Sequence, residues 1–134
     1  MQPNYSRITT WAIVENLEKS LDFYIKAFGF DILEKHEHDG VISGATLKLR
    51  DMTFMLFKCG SHGDTKTPKQ SGVKSGFGAY VYCSNVDEFY HNAIKHGAVS
   101  LAEPQAAFWG DRYCQLLDID GYDWGFATAN PVAK

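Results

Sequence analysis

The sequence predicts an α+β fold of two tandem βαβββ modules that form a cupped mixed sheet with helices outside. Three observations carry this expectation. A strand–helix–strand–strand–strand order runs through residues 8–57 and returns through 77–128. Landmarks in the two halves keep one offset: Asn16 and Asn85 lie 69 residues apart, Gly29 and Gly97 lie 68 apart, and so do Leu49 and Leu117. A polar stretch at 61–76, SHGDTKTPKQSGVKSG, holds one aliphatic residue and separates the halves. The reading is one domain, 1–134, with module 1 about 5–60, a linker about 61–76 and module 2 about 77–130.

Each element has a local reason. Ile8 to Val14 is β-like. Asn16 is an N-cap, and Glu18 sits in the positively polarised first turn of a helix. Leu17, Leu21, Tyr24 and Phe28 recur at helical spacing, and Gly29 occupies the left-handed position that ends the helix. Phe30 to His36 reads as a strand. Asp39-Gly40 is a hairpin turn, because few residues tolerate positive φ there. Val41 to Leu49 and Met52 to Phe57 are the next strands, joined at Arg50-Asp51. In the second half Phe77 to Cys83 alternates as a strand. Asn85 and Glu88 have capping-box spacing, and Val86, Phe89, Ala93 and Ile94 form an apolar face. Lys95, His96 and Gly97 close that helix. Short strands follow near Val99–Ala102, at Arg112–Leu117 and at Trp124–Thr128, the last two flanking an Asp120-Gly121 turn.

Composition narrows the function. Of 134 residues, 45% are hydrophobic, 14% aromatic and 22% charged, which suits a globular chain and excludes a wholly disordered one. A chain of this size buries roughly two thirds of its surface on folding. With 13 basic and 16 acidic residues the net charge is −3, so nucleic acid is not an expected partner. No stretch reaches membrane-span length, and the first seven residues lack an export-signal core, so a cytoplasmic location is expected. Three cysteines, Cys59, Cys83 and Cys114, make a disulfide framework unexpected.

Two stretches carry a resemblance: Asn16-Leu-Glu-Lys-Ser-Leu-Asp-Phe-Tyr24 with Phe28-Gly-Phe30, and Phe108-Trp-Gly-Asp-Arg-Tyr-Cys-Gln-Leu-Leu-Asp-Ile-Asp-Gly-Tyr-Asp-Trp124. Together with the repeated βαβββ order they resemble the vicinal oxygen chelate superfamily of glyoxalases, bleomycin-resistance proteins and ring-cleaving dioxygenases. The second stretch is similar to bleomycin-resistance-like members, in which W-G-D-R opens a strand and D-P-x-G-x-x-W precedes the last one. Ile119 replaces the usual proline and Cys114 a frequent glycine. The resemblance implies four metal-ligand positions. They fall on Thr9, Met55, Gly78 and Gly125, none a usual donor, so no metal or other cofactor is expected. It further implies a homodimer, and a small-molecule binder that takes a planar or aromatic compound in an aromatic cleft.

The period of two places Thr9 with Trp11, and Gly78 with Tyr80 and Tyr82. Trp11, Tyr80 and Tyr82 either line the cavity or pack the core. Trp109 and Arg112 either contact the ligand or, respectively, pack a strand start and bridge a carboxylate. Tyr113 either lines the cleft or is an ordinary strand tyrosine. The expected ligand-binding set is therefore Thr9, Trp11, Met55, Gly78, Tyr80, Tyr82, Trp109, Arg112 and Tyr113. An enzyme of the same superfamily, a lyase, isomerase or dioxygenase, is the alternative. It would need a tyrosine acid or a base such as Glu34, Glu37 or Glu103.

Other patterns read as ordinary structure. His36-Glu37-His38 has metal-clip spacing but lies beside a turn, where polar residues are solvated. His62, His91 and His96 read as loop and helix surface. Asp118–Asp123 starts like a calcium loop, but its glycine comes too early and Ala129 holds the twelfth position. Cys59 and His62 lack a third, orienting group.

Overall fold

The computed structural model describes residues 7–61 and 63–130. His62 and the N-terminal residues 1–6, read above for an export signal, lie outside them. The chain divides into two compact units, Met1–Thr67 and Pro68–Lys134. The division falls inside the expected linker.

The first unit contains β1 (Thr9–Val14), α1 (Leu17–Phe28), β2 (Asp31–His38), β3 (Val41–Leu49) and β4 (Met52–Lys58). Its sheet order is β1-β4-β3-β2, with β1 parallel to β4 and the other pairs antiparallel. Asn16 caps α1 by accepting from the Lys19 amide at 3.1 Å, and Gly29 ends it at φ 80°. Such a cap contributes about 1 kcal/mol. Asp39 and Gly40 both take positive φ, 52° and 78°, the geometry of a tight hairpin. Tyr24, Phe28, Phe30 and Phe54 then pack edge-on or tilted beside Leu47 and Leu56. Tyr24 and Phe28 are wholly buried.

The second unit repeats the plan after a one-turn helix, α2 (Pro68–Ser71), inside the stretch expected to be a linker. Proline suits a first helical position, where its missing N–H costs nothing. There follow β5 (Ala79–Tyr82), α3 (Val86–Lys95), β6 (Val99–Ala106), β7 (Arg112–Leu117) and β8 (Asp123–Thr128). The order β5-β8-β7-β6 reproduces the first sheet, again with one parallel pair. Asn85 accepts from the Glu88 amide and donates to the Glu88 carboxylate, closing the capping box.

Three details differ from the sequence expectation. β5 starts at Ala79 rather than Phe77, because the Ser75 hydroxyl takes the Phe77 amide and donates to the Phe77 carbonyl. This local bonding competes with the ladder. β6 runs to Ala106 through Pro104, which an edge strand with register shifts tolerates. On α3 the buried row is Val86, Tyr90 and Ala93, with Tyr90 donating to Ser100 at 2.8 Å, while Ile94 is exposed.

Candidate functional site

In the second unit, strand alternation separates two faces. Val81, Cys114, Leu116, Trp124 and Phe126 are buried, with Phe89 of α3 lying 4.1 Å from the Phe126 ring. The opposite row carries Tyr80, Tyr82, Tyr113, Gln115, Asp123 and Gly125. Cross-strand pairing sets Tyr80 beside Gly125, and Gly125 beside Gln115. A cleft of about 460 Å³ opens over this face. Its aromatic wall is Phe77, Tyr80, Trp109 and Tyr113, and its polar floor is Gln115 and Asp123.

Gly78 and Gly125 allow close approach at the floor, the Tyr80 ring lying against Gly125 and the Asp123 backbone against Gly78. A Cβ at Gly125 would lie 2.8 Å from Tyr80 Cδ1, and one at Gly78 would lie 2.9 Å from the Asp123 carbonyl oxygen. The Trp109 and Tyr113 rings are 5.3 Å apart and tilted by 39°, and Tyr80 meets Trp109 at 6.4 Å near edge-on. Such geometry follows the ring quadrupoles.

One carboxylate anchors the wall from behind. Asp111 Oδ2 accepts from the Tyr80 hydroxyl at 2.8 Å, from the Tyr82 hydroxyl at 2.9 Å and from Trp109 Nε1 at 3.2 Å. Trp109 Nε1 also donates to the Tyr80 oxygen at 3.1 Å. Asp111 is only 2% exposed, so these donors replace the water it gives up. Burial, with the hydrogen bond to Asp111, pushes the Tyr80 hydroxyl up to about 12. At the floor, Gln115 Nε2 donates to Asp123 Oδ1 at 2.7 Å.

The structure thus brings Gly78, Tyr80, Trp109 and Tyr113 together at the cleft, with Tyr82 joined through Asp111. Arg112 does not join them. As the strand neighbour of Tyr113 it faces the other way, and its guanidinium holds Asp87 of α3 with two bonds of 2.8 and 2.9 Å. Thr9, Trp11 and Met55 belong to the first unit. There Thr9 bonds Thr53 at 2.6 Å, and Trp11 sits beside Met55 and edge-on to Phe57. His36 shares that face, stacked on Phe57 and bonded to Thr46 at 2.8 Å, so it is half-buried rather than simply solvated. His38 pairs instead with Asp39. Asp118 Oδ1 accepts the Asp120 and Tyr122 amides, which makes that loop a turn.

Gln115, Asp123 and Phe77 line the cleft and Asp111 stands behind its wall, and none of the four was expected at the site from the sequence. The signals for two of them are present: Gln115 is two residues past Tyr113, and Asp123 two before Gly125.

The chain matches the family described as the Glyoxalase/Bleomycin resistance protein/Dioxygenase superfamily over residues 7–126. It belongs to that superfamily. An uncharacterized protein of Mycobacterium bovis is 28% identical over 128 residues, covering 91% of this chain and 81% of the relative. An uncharacterized protein of Mycobacterium tuberculosis is also 28% identical, covering 91% and 72%. Among solved structures, TioX from Micromonospora sp. ML1 superposes with a TM-score of 0.73 at 22% identity, over 92% of this chain and 98% of TioX. The fosfomycin resistance protein FosX from Listeria monocytogenes, complexed with Mn(II) and 1S,2S-dihydroxypropylphosphonic acid, superposes with a TM-score of 0.71 at 12% identity, over 93% and 90%. These likenesses describe the fold.

The superfamily's metal was tested against the residues present. Gly78 and Gly125 have no side chain, Met55 offers only a thioether, and the Thr9 hydroxyl is engaged by Thr53. No group of three or more His, Cys, Asp or Glu gathers among the described residues. The donor set does not fit a divalent metal. No helix among the described residues is long and apolar enough to cross a membrane.

Proposed function

We propose that this chain is a binding protein that holds a small planar aromatic molecule in the cleft of its second unit without a metal. The observation that carries the reading is an aromatic wall of Tyr80, Trp109 and Tyr113 along the cleft, with Tyr80 and Trp109 anchored on the buried Asp111 carboxylate. A cleft of about 460 Å³ suits a two- or three-ring compound. Offset stacking on Trp109 and Tyr113 would supply most of the affinity. Asp111 holds Trp109 and Tyr80 before the ligand arrives, so little ordering cost falls on binding.

An enzyme reading is weaker on these residues. The Tyr80 hydroxyl gives its hydrogen to Asp111 and is pushed up to about 12, which makes it a poor general acid. Glu34, Glu37 and Glu103 are exposed strand residues, and none lines the cleft.

Titration with quinoline, followed by calorimetry, tests the reading. Trp109→Ala is expected to weaken binding more than tenfold, about 1.4 kcal/mol, while Trp109→Phe keeps most of it. Equal affinity in wild type and Trp109→Ala would remove the ligand from this cleft.

A further inference from the structure

Resting on the reading of the cleft as an aromatic-ligand site, we infer that its ligand is a planar cation, such as a heteroaromatic ammonium or an aromatic amine protonated at neutral pH. The inference comes from counting which polar groups still face the cleft. The side-chain donors of its wall are largely spent. The Tyr80 hydroxyl hydrogen goes to Asp111, and the Trp109 N–H is shared between Asp111 and the Tyr80 oxygen. The Ser75 hydroxyl donates to the Phe77 carbonyl. One Gln115 N–H is taken by Asp123.

What remains is mostly acceptor. Asp123 keeps its second carboxylate oxygen, Gln115 its amide oxygen and Tyr80 a hydroxyl lone pair. Among the described residues no lysine, arginine or histidine lines the cleft, so none there offsets the Asp123 charge. The nearby guanidinium of Arg112 is turned away and held by Asp87. Behind the wall stands a second carboxylate, Asp111, toward which the polar hydrogens of both rings point. The ring faces left toward the ligand are electron-rich, and the faces of Trp and Tyr attract cations. An anionic ligand would meet the Asp123 carboxylate, with the Tyr113 hydroxyl and the second Gln115 N–H as the side-chain donors left to it. A cation meets a carboxylate and a set of π faces in a half-buried setting, where charge attraction is stronger than in bulk water.

Three bicyclic probes of nearly equal size separate charge from shape: N-methylquinolinium, quinoline and quinaldate, titrated calorimetrically at pH 7.5. The expected order is cation tightest and anion weakest, with at least tenfold between N-methylquinolinium and quinoline. In Asp123→Asn the ratio of cation to neutral affinity falls below threefold, and in Asp123→Glu it persists. The asparagine retains an acceptor for Gln115, and thermal melting of each variant checks the fold. The wild-type series decides the question even if a variant fails to fold. Equal affinity for all three probes, or quinaldate binding tightest, overturns the charge inference and leaves the aromatic reading standing. Failure of all three to bind overturns both.

Discussion

The Cys114 side chain is entirely buried, in the same strand row as Leu116 and paired across to Phe126. Loss of solvent disfavours the thiolate, so burial pushes the thiol up to about 12, with smaller contributions from Cys83 and Asp87. At pH 8 about one molecule in ten thousand then carries the thiolate, the form that reacts. Cys59 and Cys83 are half-buried thiols. Iodoacetamide at pH 8 is therefore expected to alkylate these two in the native protein and spare Cys114, with the third adduct forming only in guanidinium. Peptide mass spectrometry reads the sites, and labelling of Cys114 at the same rate as the others would contradict its burial. The same residue-scale accounting explains Asp111. A carboxylate this buried persists because three donors converge on one of its oxygens, and two of them, Tyr80 and Trp109, wall the cleft.

At the scale of elements, α3 is tied to its sheet by the bond from the Val86 amide to Thr128 and by the pairing of Arg112 with Asp87. The hydrogen bond from Arg112 holds the Asp87 carboxyl below its ordinary value of 3.8. A group whose folded pKa is depressed stabilises the fold above its unfolded pKa, and that stability disappears as pH falls through the folded value. Arg112→Met is thus expected to melt below wild type at pH 7, with the gap closing once the pH is well under 3.8. A gap that stays constant across this range would assign the effect to lost packing of the arginine stem. The helices were legible in the sequence because their signals act within one turn: Asn16 and Asn85 each bond an amide three residues on. The row of Gly78, Tyr80 and Tyr82 was legible through the period of two. The same period, applied to neighbours, turns Arg112 away from Tyr113. The start of β5 was not legible, since it depends on Ser75 capturing Phe77. Nor was Asp111, whose two tyrosine partners lie 29 and 31 residues away and are brought to it by the second sheet.

Across the whole molecule, one topology occurs twice and yields two different open faces. Trp11 pairs with Met55 in the first unit where Tyr80 pairs with Gly125 in the second. Large side chains, with His36 stacked on Phe57, crowd the first face, while in the second the Tyr80 ring lies against Gly125. The difference is made by side-chain size on a shared backbone plan. It bears directly on the metal question, because the four positions at which the superfamily's ligands are expected are spread over both copies. Two of them, Gly78 and Gly125, belong to the second unit and carry no side chain, and the other two carry a thioether and a bonded hydroxyl. A divalent ion offered only these groups would keep its water rather than exchange it for them. Elemental mass spectrometry of untagged protein purified without chelators is expected to find metal near zero per chain. Added zinc, nickel, manganese or iron is expected to leave the melting temperature unchanged, since only a ligand that binds the folded state raises it. One tightly held metal per chain would overturn both the donor argument and the binding-protein reading, and would restore a metal-dependent lyase, isomerase or dioxygenase as the function to pursue.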